Sequence, residues 1–498
     1  MKEILSVENM RNSDAATIAG GIPGRELMYR AGKGIFDSVQ WKAPVAIVAG
    51  SGNNAGDGYV IAKLLHDTGI ECEIILLKEK FSDDGRYYYD ICADAEIKTM
   101  LWNDSLDLSG YNTIADCIFG TGFRGEVSGT AKEVIAKINE SKAYVVSVDI
   151  NSGLNGDSGM AESCVISDLT VSIGSFQPGH FLNMAKDVMK EKLNIDIGIE
   201  PAGKAYQLIE KEDIYGLFQP RKNYSNKGTY GYTALIGGSE RYSGAIRLAA
   251  MAEAAMRSGA GVVKTAAPKS LGSIIMSSIL ESTYFPLSEN EGQVSFSESE
   301  IAELISNVKT AAFGMGIGTK DGAEEILKYL LKHYRGRLIV DADGLTLLSR
   351  IDKETVNKRE CELVLTPHIK EFSRLTGKDI NEILEAPVET AMSYARDKRL
   401  VLLLKGPSTI VTDGDRMLIV DAGCAGMATA GSGDVLSGIL AAVCAYSEDM
   451  LMAVAAAAYI NGSAGEKAQK DKGSISMTAG DTVANIPAVI KDMELSQE

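Results

Sequence analysis

At 498 residues the chain is long enough for about two to four domains. Its 67 acidic and 50 basic side chains leave a net charge of −17, which excludes a broad basic face for nucleic acid or an anionic membrane surface. A 45% hydrophobic content supports buried cores, and seven cysteines without a CxxC pair fit a reducing compartment better than a disulfide framework.

The opening MKEILSVENM carries acidic residues and lacks the apolar stretch of a secretory signal. The longest apolar run, LMAVAAAAYI at 451–460, falls far short of the roughly 20 residues a spanning helix needs. Together these features predict a soluble, cytoplasmic protein.

Two helical patterns come first, SVENMRNSDAATIAG and RELMYRAGKGIFDSV. Four continuous apolar runs follow: VAIVAG (45–50), CEIILL (72–77), TIADCIFG (113–120) and YVVSVDI (144–150). A helical stretch or a glycine-rich loop follows each, and one helix is expected near 84–97. Such alternation predicts a parallel sheet covered on both faces.

Three of the loops are polar. SGNNAGDG (51–58) has the wrong glycine spacing for a GxGxxG dinucleotide fingerprint, which weakens an ordinary NAD dehydrogenase. GTGFRGEVSG (120–129) follows Asp116, and NSGLNGDSG (151–159) follows Asp149. Loops at one edge of one sheet converge more readily on a single pocket than on three unrelated turns. Asp116 and Asp149 stand in apolar strand ends, where one carboxylate can act as a base and the other can ligate a cation. Arg124 is a phosphate candidate, although such an arginine is ordinarily a surface charge.

The periodicity fades in IEPAGKAYQLIEKEDIYGLFQPRKNYSNKG, placing a boundary near 210 and two domains at 1–210 and 211–498. A second series then predicts strands at YTALIG, GVVKTAA, TAAFGMG, RLIVDA, ELVLTP and RLVLLLKG. TIVTDGDRMLIV reads as a hairpin turning at Asp413-Gly414, and only helices come after it.

ATAGSGD (428–434) opens the first of those helices. A helix mouth offers unpaired N–H groups and the positive end of its dipole, and glycines let an anion approach them. Asp434 could take a proton from an alcohol there while the amides steady a transferring phosphoryl group. The same residues also describe a plain glycine-rich helix start. KGPST (405–409), DADGL (341–345) and LTPHIKEF (365–372) lie where strands yield to loops, the usual ligand edge of an open α/β sheet. No GxxxxGK[ST] loop is present.

Residues 227–263 (KGTYGYTALIGGSERYSGAIRLAAMAEAAMRSGAGVV), GMGIG (314–318), DADGL, LTPHIKEF, KGPST and ATAGSGDVLSGILAA resemble, in order, the dehydratase half of the NAD(P)H-hydrate repair enzymes. That half belongs to the ribokinase-like fold, and the likeness covers about 212–490. GIPGRELMYRAG, SGNNAGDG, GTGFRGE and VVSVDINSGLNGDSG resemble the epimerase half, across nearly all of 1–205. The resemblance implies two three-layer α/β/α domains, Rossmann-like and then ribokinase-like.

For the second half the resemblance implies that Asp434 acts at the substrate hydroxyl. Lys405, Gly406, Pro407, Ser408 and Thr409, with Gly431, Ser432 and Gly433, would hold ADP or ATP with Mg2+, and Ala245, Gly316 and His368 would line the hydrate site. For the first half, Asn53, Asn54, Ala55, Gly56 and Asp57, with Gly120, Thr121, Gly122, Phe123, Arg124, Gly125 and Glu126, would hold the hydrate. Asp149 would be the acid–base group, and Asn54, Asp116 and Ser152 would bind K+. A homo-oligomer is also implied. The other three histidines are read as structural. Two further readings stay open: a vitamin or sugar kinase fused to a ligand-binding domain, and a non-catalytic first half that senses nucleotides or docks a protein.

Overall fold

The computed structural model describes residues 1–251 and 255–495. The chain divides into two compact units, Glu3–Tyr206 and Gln207–Glu498, the latter together with Met1–Lys2.

In the first unit the strands lie in the order Thr99–Leu101, Cys72–Leu76, Val45–Ala49, Thr113–Cys117, Tyr144–Val148, Ser167–Ile173 and Met189–Ile195, all parallel. Val45–Ala49 and Thr113–Cys117 are buried at every position because helices cover both faces, which is why they read as unbroken apolar runs. The two strands missing from the sequence reading at the far edge, Ser167–Ile173 and Met189–Ile195, carry polar and charged residues; Lys190 and Glu191 face solvent. Short Thr99–Leu101 was likewise not legible.

Strand order reverses between Val45–Ala49 and Thr113–Cys117, so their outgoing loops splay apart and leave a crevice. Helix Asn53–Asp67 begins at that crevice and crosses helix Gly24–Ser38 closely. A Cβ on Gly32 would lie 2.5 Å from the Val60 Cβ, so only glycine permits the crossing. Helix Val7–Ala19 is capped by Ser6, whose hydroxyl accepts from the Asn9 N–H.

The second unit's sheet runs Tyr206–Leu208, Met417–Val420, Thr409–Thr412, Val401–Leu404, Glu362–Leu365, Arg337–Val340, Thr310–Phe313, Tyr232–Ile236, Val262–Pro268 and Thr283–Leu287. Only Thr409–Thr412 runs antiparallel to its neighbours, so KGPST is a strand-to-strand turn and the following segment is the expected hairpin. Every strand predicted for this half is present; Tyr206–Leu208, Thr283–Leu287 and the short hairpin of Glu289–Asn290 with Gln293–Val294 are additional. The reversal of strand order falls between Tyr232–Ile236 and Thr310–Phe313.

Helix Ser432–Tyr446 is buried all along Val435–Ala445. Its small residues let it press on the sheet and on helix Met450–Lys472, and a helix apolar on every side has to be interior. Among the described residues no disulfide joins any two of the cysteines. Among the described residues no helix is long and apolar enough to cross a membrane.

Candidate active sites

A cavity of about 690 Å³ opens at the crevice of the first unit. Asn53, Asn54 and Asp57 enter its wall from the first turns of helix Asn53–Asp67, and Gly120, Thr121, Gly122 and Phe123 from the loop after Thr113–Cys117. Asp149 completes that edge from the end of Tyr144–Val148. Ala55 and Gly56 do not reach the wall. Ala55 is core, and a Cβ on Gly56 would meet the Met28 sulfur at 2.4 Å, so both serve packing. Arg124, Gly125 and Glu126 are exposed and lie outside the wall; the cation that does line it is Arg11, which donates to the Gly122 carbonyl at 3.1 Å.

Asp149 adopts φ +66, a left-handed conformation that is costly for a non-glycine residue. Several contacts hold it there. Its carboxylate accepts from Thr121 N–H at 2.8 Å and Thr121 Oγ1 at 3.0 Å, and its own N–H donates to Val171 at 2.9 Å. The fully buried His180 ring lies behind: Nδ1 accepts from Gln177 N–H at 3.1 Å, so Nε2 carries the proton and donates to the Asp149 carbonyl at 2.8 Å. Burial lowers the pKa of His180 and keeps it neutral. Asp14 and Asp57 share the cavity. Burial first, then the Asp149 charge, pushes Asp14 up to about 6, and Asp57 is raised by the same causes with Asp14 added.

Asp116 is fully buried. It accepts from Ser152 N–H at 2.9 Å, Ser147 Oγ at 2.9 Å, Ile118 N–H at 3.3 Å and Ser152 Oγ at 2.5 Å. Burial raises its pKa and those donors oppose the rise. The structure therefore joins Asp116 to Ser152. Asn54, by contrast, is buried with neither side-chain polar atom hydrogen-bonded among the described residues.

In the second unit Asp434 sits in the first turn of helix Ser432–Tyr446. Gly431 takes φ +94, and a Cβ there would strike Leu248 at 2.4 Å. Among the described residues nothing partners Ser432 Oγ, which is buried at the helix mouth. Lys405 Nζ donates to Asp341 Oδ1 at 2.8 Å, and Ser437 Oγ to Asp341 Oδ2 at 2.9 Å. Burial first and the Asp341 charge second push Asp434 up to about 7, with Lys405 pulling the other way. Burial opposes the charge of Lys405 too, yet Asp341, Glu371 and Asp434 outweigh it and the net shift is upward.

His368 caps helix Ile369–Thr376: its Nδ1 accepts from Lys370 and Glu371 N–H groups while Glu371 accepts from the His368 N–H at 2.9 Å. A backbone bridge sets it beside Lys405. Ala245 and Gly316 are adjacent, because a Cβ on Gly316 would lie 2.9 Å from that of Ala245. Ser408 donates to Asp421 at 2.6 Å, and Gly406, Pro407 and Thr409 complete the same turn. Among the described residues no three carboxylate, cysteine or histidine groups converge to cage a metal ion.

Residues 24–179 match the family described as YjeF-related protein N-terminus, and residues 233–488 the family described as NAD(P)H-hydrate dehydratase. The bifunctional NAD(P)H-hydrate repair enzyme Nnr of Moorella thermoacetica is 33% identical over 95% of this chain and 93% of its own. That of Archaeoglobus fulgidus is 33% identical over 98% of both. The chain belongs to the bifunctional NAD(P)H-hydrate repair enzyme family. The second half of this family member also resembles the ADP/ATP-dependent NAD(P)H-hydrate dehydratase of Bacillus subtilis, co-crystallised with ATP/Mg2+, at 27% identity and TM-score 0.50, covering 58% of this chain and 99% of that one.

Several groups at the two repair-enzyme sites were not singled out from sequence. Arg11 and Asp14 lie one helical turn apart on a helix more than 30 residues before the first of the three polar loops, so no local signal marks them. Asp341 was visible only as part of DADGL. Ser437 was within reach, since it follows Asp434 by three residues on one helix face.

Proposed function

We propose that this chain repairs hydrated NADH and NADPH, the first half interconverting the R and S hydrates and the second dehydrating the S form at the expense of ADP. The observation that supports it most directly is the pair of separate strand-edge sites, each with an aspartate suited to proton transfer, in a chain that matches two-function repair enzymes along nearly its whole length. We assign 1–210 to the epimerase and 211–498 to the dehydratase.

In the epimerase Asp149 is the acid–base group at C6 of the hydrate, with Asn53 to Asp57 and Gly120 to Glu126 as the binding loops. Within those runs the wall residues Asn53, Asn54, Asp57 and Gly120 to Phe123 make the contacts. Asn54, Asp116 and Ser152 offer only oxygen donors of the kind K+ prefers, and the unpartnered Asn54 amide is consistent with that ion. Potassium would supply a fixed positive charge beside the substrate.

In the dehydratase the amides of Gly431 to Gly433, the free Ser432 hydroxyl and the turn Lys405 to Thr409 hold the nucleotide, and Ala245, Gly316 and His368 border the hydrate. Mg2+, carried by the phosphates, would neutralise their charge. Asp434 accepts the proton of the C6 hydroxyl as that oxygen bonds to the terminal phosphorus of ADP, whose bond to AMP breaks. Electron density from the ring nitrogen then expels phosphate, and loss of a C5 proton restores the reduced ring. Phosphate leaves readily where hydroxide does not. We assign the enzyme to the cytoplasm, as a homo-oligomer.

The test is to supply mixed hydrate epimers with ADP or with ATP and follow nicotinamide absorbance. Restored absorbance with release of AMP or ADP, proceeding past the S fraction only when K+ is present, is the expected result. A stable phosphorylated alcohol would identify a kinase instead.

A further inference from the structure

Asp434 has two natural hydrogen-bond donors nearby, and neither serves it. Ser437 stands one turn along the same helix, and the Lys405 charge acts on Asp434 across the helix mouth. Both donate to Asp341, one to each carboxylate oxygen, at 2.9 Å and 2.8 Å. Asp341 is 1% exposed, so losing Lys405 would leave a buried charge uncompensated and losing Ser437 a buried oxygen without its donor, and the tie is stiff. It ends strand Arg337–Val340, and the next residue, Ala342, takes φ +50, a strained conformation for alanine. A Cβ on Gly433 would sit 3.5 Å from both Asp341 Oδ2 and Lys405 Nζ, which puts the ion pair directly beneath the turn that presents Asp434.

We infer that Asp341 is a positioning residue of the dehydratase: by holding the Lys405 ammonium and the Ser437 hydroxyl it keeps both off Asp434, whose carboxylate stays free to accept the hydrate's hydroxyl proton. The inference rests on Asp434 being the base proposed above. The charged groups facing Asp434 are Asp341 and Asp343 from the loop after Arg337–Val340 and Lys405 from the turn after Val401–Leu404. Glu371 acts on Lys405 from helix Ile369–Thr376, which His368 caps. Neutralising Asp341 therefore removes a repulsion from Asp434 and frees an attraction toward it, and both changes lower its proton affinity.

The experiment uses full-length protein carrying Asp341→Asn, with dehydratase kcat/KM followed against pH, nucleotide Kd measured separately, and the epimerase rate as a check on folding. The acidic limb should move down by about one pH unit or more. Turnover at high pH should fall by roughly tenfold as the base weakens, while nucleotide Kd stays within about threefold. A folded variant whose limb does not move overturns the inference. Lys405→Met keeps the test alive if the first variant fails to fold. Losing the ammonium should move the limb up by about one unit, whereas weakened nucleotide binding with an unmoved limb would make Lys405 a simple phosphate contact and also overturn it. If Asp434→Asn keeps its turnover, the base assignment itself fails; if that variant is dead and both limbs stay put, only the role of Asp341 does.

Discussion

Asp149 follows directly on a strand and Asp434 lies in the first turn of a helix, and their surroundings are opposite. Asp149 carries its own backbone strain and receives two donors from Thr121, with a neutral buried histidine clamping its carbonyl from behind. Asp434 is in relaxed helical backbone with no donor on its carboxylate among the described residues, and the strain falls on Ala342 next to Asp341. One half aims its carboxylate by hydrogen bonds. The other leaves its carboxylate bare and lets burial and a neighbouring negative charge make it basic. On the roles proposed for them, the same side chain would serve a proton transfer needing direction in one unit and affinity in the other.

That contrast can be broken most sharply at Asp434. Asp434→Asn should cut dehydratase turnover by roughly 10⁴-fold while nucleotide binding and epimerisation persist; single-turnover assays with S hydrate would read it, and near-normal turnover would remove the mechanism. Asp149→Asn should slow epimerisation by about 10³-fold without touching dehydration of S hydrate. Unchanged conversion of R hydrate there would mean that a carboxylate on the other wall, Asp14 or Asp57, does the work.

The pH response should separate the two halves further. A base must be ionised to act, and Asp434 is pushed up to about 7. Dehydratase kcat/KM should therefore rise with pH through about 7 and drop nearly tenfold for each unit below it. A profile flat down to pH 5 would contradict a bare, buried carboxylate. The smallest effect is expected from Thr121→Val, which keeps the backbone donor and deletes the hydroxyl. Loss of one hydrogen bond to a charged group predicts a fall in epimerase kcat of about tenfold or less, with KM little altered. A large rise in KM instead would mean that the Thr121 hydroxyl, and not only its backbone, holds the substrate.

Much of the architecture was legible because parallel strands buried on both faces leave continuous apolar runs, as in Val45–Ala49 and Glu362–Leu365. Edge strands were not: Met189–Ile195 and Thr283–Leu287 face solvent along one side and mix charge or proline with apolar residues. At the sites, short-range motifs marked the wall residues Asn53, Asn54, Asp57 and Gly120 to Phe123. They did not distinguish them from Gly56, whose missing side chain makes room for Met28, or from the outlying Arg124.

Local order along the chain, then, was enough to determine the two α/β series, the family and the loops that border the candidate sites, because strand, turn and helix-mouth preferences act over a few residues. Partnership was decided in three dimensions. That His180 backs Asp149, that Arg11 rather than Arg124 faces the cavity, and that Lys405 and Ser437 meet on Asp341 depend on residues up to 111 positions apart being brought within a few ångströms. No periodicity encodes such distances; only the packing of helices on a particular strand order does.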